Sequence, residues 1–375
     1  MENALNLFRA AAVTPRVHIG NVAKNCQEII KSYDSLAVQS DLIVMPELSL
    51  TGYTCADMFS NRNLLDMARK GLYDLTMYTK KYGENGAALV VGVPLEKEGE
   101  LFNCAALIQN GRLIAVVPKT YLPNYGEFYE KRWFSAGEQD AKTMEIACGM
   151  ETLQTTFGNN VIIEIGTDKK VCVGIEICED AWAAISPGRL LALNGAEIIV
   201  NISASNEVIG KAQYRKNMLG AASSGCICGY VYVSAGQYES TSDLVFSGHT
   251  LMYENGKLLG EGKPFSDTVL VKDFNLTKIR HDRIANKTYS ECKNNFSMRC
   301  YERLTCKKPL MEKKELLAKL SITPFVPYSN RRERCLDIFQ MQVTALARRI
   351  EATKSKCVVV GVSGGLDSTL ALLVA

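Results

Sequence analysis

Three ionisable side chains of different chemistry stand just past the ends of apolar runs. They are the acid Glu47 in "LIVMPELSLTGY", the amine Lys119 in "IAVVPKTYLPNYGEFYEKRWFSAG" and the thiol Cys178 in "VCVGIEICEDAW". Such runs read as buried strands, and in open α/β sheets chemistry gathers beyond the carboxyl ends of strands. A thiol there, close to a following helix N-terminus, can have its pKa lowered and attack as a thiolate; the same position also suits an inert buried cysteine. Glu47, behind Pro46, reads as a general base or as an acid that opens a helix. Lys119, behind Pro118, reads as an electrophile or as a surface ammonium. Together the three suit amide hydrolysis. Glu47 takes the thiol proton and later activates water. Cys178 attacks the carbonyl and forms a thioester, and Lys119, with the backbone N–H after Cys178, stabilises the oxyanion. The lysine must stay protonated, which two nearby carboxylates favour. The three histidines, His18, His249 and His281, sit in no motif with an obvious orienting acid, which disfavours a Cys–His mechanism.

The elements that must position these groups alternate between strand and helix patterns. "FRAAAV" and "DLIVMPEL" read as strands, and "NVAKNCQEIIKSYDSLAVQ" and "NRNLLDMARKGLYDLTMYTKKYG" as helices with apolar residues at helical spacing. "AALVVGVPL", "LFNCAALI" and "GRLIAVVPK" then follow without helices, and Asn110-Gly111 marks a hairpin turn. Later strands are "KVCVGIEIC", "AEIIVNISA", "YVYVSAG" and "TLMYENGKLLG", with helices after Cys178 and after Ser205. The class is α/β, with helices covering a sheet that is apolar on both faces. From 273 to 325 the texture becomes charged and reads as a linker. A new unit, 326–375, follows, with an apolar stripe at Leu336, Phe339, Val343, Leu346 and Ile350, then the strand-like "KCVVVGV" and the loop "SGGLDS".

Composition narrows the class. The 375 residues are 47% apolar and 22% charged with a net charge of +3, which suits a globular protein and disfavours a nucleic-acid surface. No stretch reaches the length of apolar residues that spans a bilayer, and the N-terminus lacks a signal-peptide pattern. The thirteen cysteines contain no CxxC pair, and neither Cys226-x-Cys228 nor the Cys292, Cys300, Cys306 series has zinc spacing. A reducing, cytoplasmic compartment and no metal are expected.

"MPELSLTGY", "PKTYLPNYGEFYEKRWF" and "GIEICEDAW", in that order, resemble the nitrilase superfamily of carbon–nitrogen hydrolases over about residues 7–272, within a domain of 1–272. The resemblance implies an α-β-β-α sandwich with a Glu–Lys–Cys triad. "KTYLPNYGEFYEKRWF", "NISAS" and "GQYESTSDLVFSGHT" are similar to the glutaminase domains of glutamine-dependent NAD synthetases. That closer resemblance implies L-glutamine as substrate, no cofactor for its hydrolysis, and homo-oligomeric assembly. It implies a second glutamate near the lysine, matched by Glu130 with Glu127 as the local competitor. It further implies that Tyr53, Tyr125 and Phe128 line the glutamine pocket, or alternatively pack as aromatic core. Glu179 and Ser205, with Ser203 as a close alternative, would hold the α-amino and carboxylate ends.

The loop "VVVGVSGGLDSTLALL" is not a Walker A sequence, lacking the GK[ST] ending. Ser363, Gly364, Gly365 and Ser368 can bring N–H groups and hydroxyls onto a pyrophosphate at a helix N-terminus. The loop resembles that of the ATP pyrophosphatase family, which implies a Rossmann-like domain, ATP and Mg, with Asp367 near the metal–phosphate region or else capping the helix. The complete enzyme so implied amidates deamido-NAD with glutamine-derived ammonia. This chain is expected to carry only a truncated opening of that synthetase unit and to act by itself as a glutaminase at most. A stand-alone amidase on another small amide, or an ATP-binding or regulatory module, are the alternatives.

Overall fold

Leu7–Thr14 (β1), Val22–Leu36 (α1), Leu42–Val44 (β2), Arg62–Tyr78 (α2), Ala88–Lys97 (β3), Glu100–Gln109 (β4) and Arg112–Pro118 (β5) form the first part of the chain. Lys142–Cys148 (β6), Glu151–Phe157 (β7), Val161–Ile165 (β8), Val171–Ile177 (β9), Pro187–Leu193 (α3), Ile198–Ser203 (β10), Lys211–Gly225 (α4) and Gly229–Ser234 (β11) follow. Leu251–Glu254 (β12), Lys257–Glu261 (β13), Thr268–Asn275 (β14), Leu276–Ala285 (α5), Lys287–Phe296 (α6), Glu302–Cys306 (β15), Arg331–Thr353 (α7) and Leu366–Val374 (α8) complete it. The computed structural model describes residues 6–137, 140–296, 300–310, 315–318, 320, 322–326 and 329–375. The chain divides into two units, Met1–Leu317 and Ala318–Ala375.

Among the described residues, the first unit holds an eight-stranded sheet, β14-β1-β2-β3-β4-β5-β7-β6, and a seven-stranded sheet, β13-β12-β11-β10-β9-β8-β15. The period of two along β1 shows how they stack. Phe8, Ala10 and Ala12 face the core between the sheets, with Val173, Ile175, Val200 and Val231 from the second sheet. Ala11 and Val13 face the opposite way, into a core shared with Ile29 of α1 and Leu72 of α2. The outer face of the second sheet packs Ile199 and Tyr230 against Leu191 of α3 and Leu219 of α4. The α-β-β-α layering expected from the sequence is therefore present, and both faces of each sheet are covered.

Two local expectations differ, and one hairpin escapes a reading of the sequence. The stretch 273–325, expected as a linker, completes β14 and carries α5, α6 and β15, the last pairing in parallel with β8 through Leu304 and Ile163. Some of its charges are anchors, although most are exposed. Arg283 donates to the carbonyls of Ala196 and Ile227 at 2.7 and 2.9 Å, and Lys308 pairs with Asp41, both side chains fully buried, at 3.2 Å. The hairpin β6–β7 carries only alternate buried residues and so shows no apolar run. In the second unit, "KCVVVGV" is not a strand, and Val359 is 95% exposed. A strand exists by pairing, and among the described residues none pairs with it. The apolar stripe of α7 is half-buried at Phe339, Val343, Leu346 and Ile350, and Leu336 is exposed. No helix among the described residues is long and apolar enough to cross a membrane.

Candidate active site

Glu47 follows β2, Lys119 follows β5 and Cys178 follows β9, so the first two come from one sheet and the third from the other. Lys119 and Glu47 are fully buried and bonded, Nζ to Oε1, at 2.7 Å. A second carboxylate, Glu130, accepts from the same ammonium at 2.8 Å through its Oε1, which also accepts from the Tyr53 hydroxyl at 2.8 Å. Glu127, the competitor for this place, instead accepts from Asn206 Nδ2 at 2.6 Å. Close packing demands glycine beside the glutamate. A Cβ on Gly92 of β3 would lie 2.1 Å from the Leu48 nitrogen and 2.6 Å from the Glu47 carbonyl carbon.

The two oxygens of Glu47 are engaged unequally. Oε1 accepts from Lys119 and from Asn103 Nδ2 at 2.6 Å. Oε2 accepts one bond, from the Ala204 N–H at 2.7 Å. A carboxylate oxygen has two lone-pair sites, so Oε2 keeps one for a proton. The Asn103 main-chain carbonyl accepts the Lys119 backbone N–H at 2.8 Å, so this residue ties Glu47 to the lysine segment.

Cys178 is 6% exposed and sits at φ 45°, a left-handed conformation that non-glycine residues adopt at a cost. The lowered thiol pKa expected from a helix N-terminus is not found. The element after β9 is a single turn, Cys178–Ala181. Burial, reinforced by Glu47 and opposed by Lys119, pushes the thiol up to about 12. At that value the sulfur rests as a thiol. Lys119 shows the opposite balance. Burial pulls its ammonium down, but Glu130 and Glu47 outweigh this and hold it well above the usual lysine range.

The other candidates of the first unit are held by local contacts. The Tyr125 hydroxyl donates to both oxygens of Glu179, at 2.8 and 3.0 Å, and its ring meets Phe128 edge-on. Ser203 gives its hydroxyl to Asn201 at 2.8 Å, whereas Ser205 Oγ accepts from Arg215 at 3.2 Å. Tyr53, Glu127 and Phe128, with Trp133 and Leu244, border a cleft. Cys178 does not line that cleft, which meets the cluster through Tyr53. Ser363, Gly364, Gly365, Asp367 and Ser368 lie in the second unit. There the Ser363 N–H donates to Ser368 Oγ at 3.2 Å, Gly364 takes φ 87°, and Asp367 occupies the first turn of α8.

Several neighbours escape a reading of the sequence. Asn103 is buried inside an apolar run, and a lone amide there was the available signal. Asp180 ties the Cys178 turn to the lysine segment, accepting from Ile177 N–H at 2.9 Å and Tyr121 N–H at 2.8 Å. Glu239 accepts from the N–H groups of Tyr53 and Thr54 at 2.8 and 3.0 Å and so fixes the Tyr53 loop. Lys211 is bonded to Asn206 and stands 5.5 Å from the Phe128 ring centre and 5.7 Å from that of Trp182. A lysine opening a helix works against the helix dipole, which is the one sequence mark it leaves.

Glu130 carries a testable pH signature. Burial, partly offset by Lys119 and increased by Glu47, raises its carboxyl from 4.5 to about 7. The folded chain therefore holds a proton there that the unfolded chain releases. This group's contribution to stability is fully present below pH 4.5 and is lost as pH rises through about 7. The stability difference between the unsubstituted chain and Glu130→Gln, from urea midpoints, is expected to fall across that window. A difference that is flat with pH contradicts the assignment.

The sequence matches the carbon–nitrogen hydrolase family over residues 9–284. It is 34% identical to the glutamine-dependent NAD(+) synthetase of Mycobacterium tuberculosis (strain ATCC 25618 / H37Rv) over 377 residues, covering 98% of this chain and 54% of that protein. The chain thus spans about half the length of the curated relatives it matches. Among solved structures it is similar to a glutamine-dependent NAD(+) synthetase from Cytophaga hutchinsonii, with TM-score 0.61 and 24% identity over 72% of this chain and 43% of that one. It is also similar to the glutamine-dependent NAD+ synthetase from Acinetobacter baumannii in complex with ADP, with TM-score 0.58 and 24% identity over 99% of this chain and 57% of that one. At these identities the structural likeness speaks to the fold, which is nitrilase-like. The family match takes in all three strand ends that meet at the buried cluster, and the chain accordingly belongs to the carbon–nitrogen hydrolase family.

Proposed function

We propose that this chain hydrolyses the side-chain amide of L-glutamine through a thioester on Cys178. The observation that carries the reading is the buried Glu47–Lys119–Glu130 cluster, whose charges act on the Cys178 sulfur. The sulfur attacks the amide carbon while its proton passes to the free site on Glu47 Oε2. Lys119, held cationic by two carboxylates, and the N–H after Cys178 receive the developing oxyanion. Collapse breaks the carbon–nitrogen bond, and Glu47 returns its proton to the departing ammonia. Glu47 then deprotonates water, which attacks the thioester and releases glutamate, and the cysteine recovers its proton. Glu130, itself bonded by the Tyr53 hydroxyl, also holds the ammonium. Glu179 and Tyr125 offer a carboxylate and a hydroxyl for the α-ammonium group. Ser205 and Lys211 suit the α-carboxylate better than Ser203, whose hydroxyl is given to Asn201. Phe128 supplies an apolar wall.

The resemblance to glutamine-dependent NAD synthetases extends this reading. The ammonia serves an ATP- and Mg-dependent conversion of deamido-NAD to NAD, with Ser363, Gly364, Gly365, Asp367 and Ser368 contributing to the phosphate site, in a homo-oligomeric cytoplasmic enzyme. No cofactor enters the hydrolysis itself. Ammonia release from glutamine is expected to exceed that from aliphatic nitriles and carbamoyl compounds by about two orders of magnitude, because a site built for both ends of an amino acid leaves buried polar groups unpaired with other amides. A simple aliphatic amide outranking glutamine makes the chain an amidase of another substrate.

A further inference from the structure

Behind Ser205 lies a buried charged chain that the hydrolysis does not use. Arg215, on α4, is fully buried. Its Nη1 lies 2.7 Å from His249 Nδ1 and donates to Glu207 Oε2 at 3.2 Å. Its Nη2 donates to Ser205 Oγ at 3.2 Å and to the Asn206 carbonyl at 3.4 Å. A guanidinium only donates, and this fixes its neighbours. His249 Nδ1 must accept, so the proton sits on Nε2 and is given to Glu261 Oε1 at 3.0 Å. Burial, with the Arg215 charge beside it, pulls the imidazole below its usual range, in keeping with this neutral form. Glu207, which also accepts from Ser247 at 2.6 Å, balances the arginine. Ser205 Oγ must accept, so its own hydrogen is directed elsewhere. With its carbonyl held by Arg215, Asn206 presents its side chain to Glu127 at the cleft and to Lys211.

We propose that Arg215 is a positioning residue for the amino-acid end of the substrate. It turns the Ser205 hydroxyl into a donor and, through the Asn206 carbonyl, positions the Asn206–Lys211 pair for the substrate's α-carboxylate. His249 and Glu261 hold the guanidinium from behind. The inference rests on glutamine being the amide hydrolysed, and it assigns recognition of the substrate's charged end to a layer that never touches the reacting atoms.

The test uses the full chain and two readouts: steady-state glutamine hydrolysis, and alkylation of Cys178 by iodoacetamide, which has no amino-acid end. Arg215→Met is expected to raise KM for glutamine about tenfold or more with kcat kept within about threefold, the pattern of lost ground-state binding. Alkylation should stay within about twofold of the unsubstituted chain, since the nucleophile is untouched. In a Ser205→Ala background the same substitution should add less than about twofold to KM, because the two groups act as one. A fall in kcat at unchanged KM, slowed alkylation in parallel, or full additivity with Ser205→Ala overturns the proposal. Should Arg215→Met not fold, Arg215→Lys decides. It keeps the charge and loses the fork, so a several-fold rise in KM supports the proposal and an unchanged KM overturns it. An unsubstituted chain that does not hydrolyse glutamine fails the underlying reading and this inference with it; an active chain with indifferent Arg215 variants fails this inference alone.

Discussion

Replacing Cys178 by alanine is expected to abolish ammonia release from glutamine while leaving the chain folded. Loss of a nucleophile that forms a covalent intermediate costs on the order of 10⁴–10⁶ in kcat, because neighbouring groups cannot replace the bond it makes. The fold has little at stake. The side chain is small, and alanine meets the positive φ at this position much as cysteine does. The checks are ammonia release and a thermal melt on the same sample. A variant that keeps more than about a tenth of the rate assigns the chemistry to another group.

Lys119→Met is expected to damage both activity and stability, and the stability loss should depend on pH. Glu47 and Glu130 share this ammonium at 2.7 and 2.8 Å, and all three side chains are buried. Methionine fills the space of the stem but leaves two carboxylates facing each other without a cation. Removing one partner from a buried charge cluster costs about 3–5 kcal/mol. Two close like charges cannot both ionise cheaply, so one carboxyl takes up a proton. The folded pKa of that group then lies further above its unfolded value than in the parent chain. Stability should therefore recover as pH falls through the neutral region and worsen above it. The rate should fall at least about 10²–10³-fold, the effect of losing one oxyanion stabiliser. Urea midpoints at pH 6 and pH 8 read the first expectation, chosen about one unit either side of neutrality. Equal midpoints for parent and variant at pH 8 contradict the description of the cluster.

What the sequence made legible follows from what is local. Glu47, Lys119 and Cys178 each end an apolar run, and Pro46 and Pro118 mark two of the ends. Strand identity, strand-end position and residue chemistry are properties of ten-residue windows, so the three could be singled out and the α/β class recognised. The charged stretch 273–325 misled because charge in sequence does not distinguish a solvated lysine from Lys308, whose cost of burial is offset by Asp41, 267 residues away along the chain.

The sequence alone determined the residue types, their order and the strands that carry them, because alternation and apolar runs follow from the period of the backbone. Only the tertiary structure decided which groups meet. It sets Glu130 rather than Glu127 against Lys119, bonds Asn103 to Glu47, and leaves Glu47 Oε2 with a free site. It also keeps Cys178 a thiol, where a helix N-terminus had suggested a thiolate. The physical reason is common to all of these. Burial and the sum of nearby charges set protonation and hydrogen bonding, and both depend on contacts between segments that are distant in the chain.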